Sequence, residues 1–375
     1  MKITKVEPIW LRTKTFDESC EWGEDAFILR IYTDNNLYGI GESDSAAAVL
    51  KIMFEQPSTH GSCRNLSEIL IGQDPRNIKK IMDDLIEGSA YYGLSGALIC
   101  ALSAINIALY DLLGKIYGVS VATILGGKRK DFLNAYATFI PSENMEENIS
   151  RVKYLKEEGF KLLKFGGAGF GNNALSDKEI IKNIRGAVGD DIKLSIDLVG
   201  LWKNFSYARE RFLEIEEYNL EWIEEPVGAN NVYDYARLSE HLPCKITGGE
   251  SFYTLNEFEN FIKKSKVSIV QPDITRCGGF DTMLEIEKIS LKYGCDLVPH
   301  GFSTGILLAA TVQFLASTKY CNLIEYSQST SVLFTHLVKN LIPCKDGIVE
   351  VNDAVGIGVI LDENLIEKYR INIKI

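Results

Sequence analysis

Six short apolar runs in the second half of the chain each end on one ionisable residue. The runs 194–197, 221–224, 246–250, 269–273, 297–300 and 322–325 end on Asp197, Glu224, Glu250, Asp273, His300 and Glu325. Their spacing, about 25 residues, suits one strand plus one helix of a β/α unit. Strands that close into a barrel would bring these five acids and the histidine to one rim. Asp197, Glu224 and Glu250, from three successive strands, offer the hard oxygen donors that Mg2+ takes, with octahedral positions left for water or substrate. Without a cation, three such carboxylates repel, and some must keep their protons. A solvated loop acid is the ordinary alternative for any one of them, but not for three at matching strand ends. Glu225 should face away from Glu224 by strand alternation, and its place before Pro226 suits a supporting role.

Asp273 and His300 end the next two strands. A carboxylate beside an imidazole fixes its tautomer and raises its basicity, which makes a general acid/base. Histidine is scarce here, with four in all, and His60, His241 and His336 fall in helix or loop contexts. Glu325, opposite the acid trio, would donate to a substrate oxygen if burial kept it protonated. In Gly159-Phe-Lys-Leu-Leu-Lys164-Phe-Gly166, alternation puts Leu162, Lys164 and Gly166 on the face taken as the barrel interior. Lys161 then packs its stem among the helices. The glycines from Gly166 to Gly171 lack the Gly-Lys-Ser/Thr of a phosphate loop and read as a βα loop against the ligand.

These residues need a frame, and the rest of the chain supplies one. Residues 1–40 alternate like strands, with a turn at Asp34-Asn35-Asn36, and 46–117 are patterned as helix, so the first part reads as a small α+β unit. From Phe132 the rhythm is strand, helix, strand, helix. Strands are expected at 132–140, 160–166, 192–197, 220–224, 245–250, 267–272, 294–299 and 322–325, with helices such as 145–158, 177–188, 280–293 and 304–317 between them. The expected fold is α/β: a modified (β/α)7β TIM barrel over 128–345, an N-terminal α+β capping domain over 1–127, and a strand-and-turn segment, 346–375, that returns to the cap. The apolar stretch 96–113 carries Ser103, Asn106 and Asp111 and reads as a buried core helix.

A net charge of −11 and a pI near 5.1 argue against nucleic acid or an anionic membrane as partner. They allow an anionic substrate, because a bound metal and a local lysine can invert the field in one cleft. Eight cysteines without a Cys-x-x-Cys pair, and a start without a signal-peptide apolar core, fit reduced thiols in a cytoplasmic protein.

The residues also resemble the enolase superfamily, and within it the mandelate racemase subgroup. The segments are Gly39-Ile-Gly-Glu42, the run from Ala101 to Lys115 with Asp111, Leu125-Gly-Gly127, Trp222-Ile-Glu-Glu-Pro226, Gln271-Pro-Asp273-Ile-Thr-Arg276-Cys-Gly-Gly279, Pro299-His300-Gly301 and Gly356-Ile-Gly358. The resemblance implies Asp197, Glu224 and Glu250 as Mg2+ ligands, Asp273 and His300 as the acid/base dyad, and Glu325 as partner of the substrate carboxylate. It implies that the metal holds that carboxylate and stabilises the enediolate left after α-proton removal. Two departures stand out. The family's Lys-x-Lys reads Lys164-Phe-Gly166 here, and its Asp-x-Asn reads Asp197-Leu-Val199.

Racemisation needs proton donors on both faces of the enediolate, and with glycine at 166 one face has only Lys164 to serve it. Dehydration needs one base that can return its proton to a departing hydroxide. The expected activity is therefore that of a Mg2+-dependent acid-sugar (aldonate or aldarate) dehydratase, with His300, Asp273, Lys164 and Glu325 catalytic. The alternatives are a racemase, epimerase or cycloisomerase using His300 with Lys164, and an inactive binding barrel. The partner is a small carboxylate, and the assembly a homo-oligomer between dimer and octamer. Specificity is expected from the cap segments 16–25 and 43–62, with Trp22, Ser58, Thr59 and His60 against a polyol and Gly166 leaving room for a longer acid.

Overall fold

The computed structural model describes residues 1–13 and 24–372. Three antiparallel strands, β1 (Ile3–Arg12), β2 (Asp25–Thr33) and β3 (Tyr38–Ser43), form the cap sheet in sequence order, β2 and β3 being joined through the Asp34-Asn35-Asn36 turn. Helix Ala97–Tyr117 packs along β3 so closely that a Cβ at Gly39 or Gly41 would lie 1.9 Å from the carbonyl oxygens of Ala108 or Ala104. That helix is long and apolar enough to cross a membrane, but most of it is buried inside the cap core with Phe27, Leu29, Leu50 and Leu85.

Eight parallel strands follow: β4 (Phe132–Phe139), β5 (Leu162–Gly166), β6 (Lys193–Asp197), β7 (Leu220–Glu224), β8 (Lys245–Gly248), β9 (Ile269–Val270), β10 (Asp296–Leu297) and β11 (Leu323–Ser327). Pairing runs from β4 through β10 in order, and β11 returns to pair with β4, which brings the last strand beside the first. Seven helices lie between consecutive strands, from Met145–Glu157 to Gly305–Ser317, and this is the (β/α)7β barrel. Their apolar faces and the outward strand residues form one continuous core. A second, inner cluster of Tyr136, Leu162, Trp222, Ile269 and Val298 plugs the barrel below the site.

Three elements differ from expectation. β9 and β10 are two residues long instead of six, because Pro272 and Pro299 cannot donate to a ladder. Pairing continues loosely beyond them, with the Val298 N–H on the Val270 carbonyl at 3.1 Å and that of His300 on Pro272 at 3.1 Å. The segment after 345 is not only strand and turn. Its strand Ile348–Glu350 pairs antiparallel with β4 of the barrel, and helix Glu363–Tyr369 follows before the chain meets β1 at Leu11.

Candidate metal centre and proton-transfer dyad

The parallel register puts Gly166, Asp197 and Glu224 level with one another on β5, β6 and β7. Glu250 lies two residues past β8, after Gly249, whose own Cβ would meet the Gln271 backbone at 2.9 Å. This close approach turns the chain so that Glu250 joins the other two. One oxygen from each of Asp197, Glu224 and Glu250 lies within 4.8 Å of the others. Burial, followed by the mutual repulsion of the acids, pushes Asp197 up to about 7 and Glu224 up to about 8, although Lys164 opposes both. Buried carboxylates in a triangle of that size are a donor set for one hard divalent cation. Glu225 is buried behind them, accepts a hydrogen bond from the Ser251 hydroxyl at 3.1 Å, and lies outside the triangle.

Lys164 is buried at the centre of the barrel. Its Nζ lies 2.6 Å from Glu224, 3.0 Å from Glu325 and 3.6 Å from Asp197. Burial favours the neutral amine, but these carboxylates overcome it and hold the ammonium charged. Without a cation or substrate, Glu325 is held as the paired acid rather than the protonated donor considered from sequence. Burial would raise its pKa, yet Lys164 and His300 bring it down to about 2. The Tyr136 hydroxyl (3.1 Å) and the Gly301 N–H (2.9 Å) donate to its other oxygen. It is an ionised acceptor.

The His300 Nδ1 lies 2.7 Å from Asp273 Oδ2. Asp273 is buried, but His300, Arg276 and Thr275 keep it below the usual carboxylate range, so the shared proton belongs on Nδ1. Nε2 points to Glu250 Oε2 at 3.1 Å. Burial alone would lower the imidazole pKa; Glu250 and Asp273 outweigh that and push it up to about 10. Lys164, Asp197, Glu250, His300 and Glu325 line one cavity together with Thr138, Ile140, Gly166, Val199, Arg276 and Phe302.

Gly166 lines the cavity, and a Cβ there would lie 1.9 Å from the Asp197 carbonyl oxygen, so the position takes no side chain. The cavity corrects one expectation about specificity. Ser58, Thr59 and His60 are exposed on a cap turn closed by Thr59 and Cys63, and none of them lines the cavity. Trp22 lies outside the described residues.

Sequence reasoning gave no role to a clamp between the two units. The Glu42 carboxylate, buried at the end of β3, accepts from the Ser303 hydroxyl (2.7 Å), the Thr304 N–H (3.2 Å) and hydroxyl (2.7 Å), and the Leu307 N–H (2.7 Å). It thereby caps the helix that begins just after His300. Next to it, the Ser43 hydroxyl donates to the Thr275 carbonyl and Asp44 pairs with Arg276, while Thr275 donates twice to Asp273. Arg276 also holds Glu250 at 3.2 Å. One strand end of the cap thus fixes both halves of the dyad. Only the recurrence of Gly39-Ile-Gly-Glu42 as a family segment hinted at it.

Charge at this site makes stability pH-dependent in a defined direction. Asp197 and Glu224 retain protons in the folded chain at pH values where the unfolded chain has lost them, and His300 is stabilised as a cation up to about 10. Raising the pH through 7 to 8 therefore costs the folded state on all three counts. In chelator, the melting temperature is expected to fall between pH 6 and pH 8.5. A divalent cation is expected to reverse that trend, as calorimetric scans at both pH values would show.

Residues 7–126 match the N-terminal domain of the mandelate racemase / muconate lactonizing enzyme family, and residues 146–365 match the enolase C-terminal domain-like family. A capped barrel with an acid triangle and a His–Asp dyad defines an enolase-type architecture. The chain belongs to the mandelate racemase / muconate lactonizing enzyme family of that architecture. It is 28% identical to a D-galactonate dehydratase of Pectobacterium atrosepticum over 378 residues, covering 98% of this chain and 94% of the relative. It is 29% identical to a D-galactarolactone cycloisomerase of Agrobacterium fabrum, covering 80% and 82%. The crystal structure of the 3,6-anhydro-D-galactonate cycloisomerase from Zobellia galactanivorans superimposes with a TM-score of 0.89 at 29% identity, covering 99% of this chain and all of that one.

Proposed function

We propose that the protein is a Mg2+-dependent acid-sugar dehydratase that converts a 2,3-dihydroxy carboxylate to a 2-keto-3-deoxy acid and water. In this reading Asp197, Glu224 and Glu250 hold the Mg2+, which when bound supplies positive charge to a carboxylate substrate. Lys164 and Glu325 set the charge and hydrogen bonding at the floor of the cavity. With a cation neutralising Glu250, the main pull that keeps His300 an imidazolium would be removed, and its neutral Nε2 would take the proton from the α-carbon, with Asp273 holding the imidazole through Nδ1. The same nitrogen then returns that proton to the β-hydroxyl as the C–O bond breaks. The enol left behind becomes the ketone by gaining a proton at C3.

The observation that carries this reading is the one-sidedness of the site. Backbone contact at Gly166 excludes any side chain there, and Lys164 is held as an ammonium by three carboxylates instead of standing free as a second base. Dehydratases among the relatives support it, including those named for D-galactonate, L-talarate/galactarate and arabinonate. The test is a panel of aldonates and aldarates with Mg2+, followed by NMR in D2O for 2-keto-3-deoxy products. Exchange of the α-proton without loss of water, or racemisation of a 2-hydroxy acid, would overturn it.

Cycloisomerases among the similar proteins favour one second reading. If the β-oxygen belongs to a ring, the same base opens the ring and no water is released. Product mass separates the two readings, since cycloisomerisation leaves it unchanged.

A further inference from the structure

Below its inner plug the barrel is not filled. Strand alternation puts Asn134, Lys193 and Asp296 on the inward faces that carry Tyr136, Ser195 and Val298, and Lys245 lies level with Trp222. Barrel interiors are dominated by bulky branched side chains, and these four are polar. A cavity of about 550 Å3 opens at this end, a volume suited to a small molecule. Its floor is the underside of the plug, Leu162, Trp222, Ile269 and Val298, joined by Leu323. One side is closed by the Asp346-Gly347 turn, drawn in so closely that a Cβ at Gly347 would lie 2.7 Å from the Gly159 carbonyl oxygen. Trp222 separates this cavity from the acid triangle: its side chain forms part of the floor, and its Nε1 donates to Glu224 at 3.2 Å.

Three lysines and three acids line the same cavity: Lys161, Lys193, Lys245, Glu221, Asp296 and Asp346. Glu221 lies between Lys193 and Lys245, at 3.0 and 2.6 Å, so the arc from β6 to β8 keeps one surplus positive charge. Lys161 extends that arc to β5, and Asp296 stands three strands round the ring from β7. The side chains of Lys161, Asp296 and Asp346 have no hydrogen bond or ion pair among the described residues. A plain anion would gain the lysines but meet Asp296 and Asp346 as well. The lining is neutral as a whole with its charges set apart, which complements a ligand bearing both signs on an apolar body. The floor supplies the affinity and the charged ring the selection, since exposed ion pairs add little each.

We propose that this lower cavity is a second, non-catalytic site for an α-amino acid with an apolar side chain. That side chain lies on Trp222, the carboxylate meets Lys193 and Lys245, and the ammonium meets Asp296. The site is independent of the reaction assigned to the upper cavity. The test is calorimetry on the full chain with three probes that share one phenethyl body. They are phenylalanine, 3-phenylpropanoate, which lacks the ammonium, and 2-phenylethylamine, which lacks the carboxylate. Phenylalanine should bind at least about 5-fold more tightly than either analogue, the upper range for an exposed ion pair. Asp296→Asn should weaken phenylalanine by that factor and leave 3-phenylpropanoate unchanged. Lys245→Gln, which leaves Glu221 paired with Lys193, should weaken phenylalanine and leave 2-phenylethylamine unchanged. Both positions are exposed, so both variants should melt with wild type. Failure of phenylalanine to bind in the millimolar range, an analogue that binds as tightly, or phenylalanine affinity unchanged in either variant would overturn the proposal.

Discussion

Replacing His300 with asparagine is expected to lower kcat by about 10³- to 10⁴-fold, the upper range for loss of a positioned acid/base. Asparagine is close in size, and its amide can still donate toward Asp273, so the wall of the cavity is kept. What disappears is Nε2, the imidazole nitrogen that Asp273 leaves free for proton transfer. At Gly166, the backbone contact with Asp197 excludes a side chain that could replace it. The trio Asp197, Glu224 and Glu250 is untouched, so binding of Mg2+ followed by calorimetry should persist. It should even gain at neutral pH, because an imidazolium 3.1 Å from Glu250 no longer competes with the cation. The loss should appear in kcat more than in KM, since the imidazole acts on the reacting proton rather than on the resting substrate. A variant retaining more than about a tenth of wild-type kcat would remove His300 from the role of base. Solvent deuterium at the α-carbon gives a second reading, because exchange there must vanish with turnover if one nitrogen performs both transfers.

The barrel and the ring of strand-end residues were legible because parallel strands obey a simple geometry. Each strand delivers its last side chains to the same rim, so even spacing along the chain becomes proximity in space. The level placement of Gly166, Asp197 and Glu224 is the direct outcome. What stayed hidden depends on distances that no spacing encodes. The charge state of Glu325 follows from an ammonium 3.0 Å away, and sequence offered only the alternatives of burial and pairing. The crowding that bars a side chain at Gly166 comes from a neighbouring backbone, which no spacing along the chain reports. The clamp of Glu42 on Ser303 and Thr304 spans 261 and 262 residues and joins two units. Glu42 could be read as a family residue, but its partners could not be read at all. The cap segment 43–62 shows the same limit in reverse: Ser43 and Asp44 reach the barrel, while Ser58, Thr59 and His60, on the same stretch, face outward.

Lys164→Met is expected to cost the cation-free protein about 3–5 kcal/mol, the range for breaking a buried ion pair by removing one partner. For a chain of this size that is a fall of roughly 4–6 °C in melting temperature. The shape of the side chain is nearly kept, so the effect isolates charge. Glu224 and Glu325 are both buried and both lean on Nζ, at 2.6 and 3.0 Å. Without it, Glu325 keeps the Tyr136 hydroxyl and Gly301 N–H, and Glu224 keeps the Trp222 indole and Gln271 amide, but neither has a compensating positive charge within contact. The pKa of Glu224 must then rise further and that of Glu325 must rise from its lowered value, and protonation becomes the cheapest escape. The variant should therefore be more nearly wild-type at pH 6 than at pH 8, because the folded chain can hold protons that the unfolded chain has already released. Mg2+ should recover only part of the loss. It would neutralise Asp197, Glu224 and Glu250, whereas Glu325 lies outside that triangle and would stay uncompensated. Thermal scans in chelator and in saturating Mg2+, at both pH values, separate these contributions. Co-melting of variant and wild type in chelator at pH 8 would show that Lys164 carries no charge balance. Complete recovery by Mg2+ would show instead that Glu325 does not depend on it.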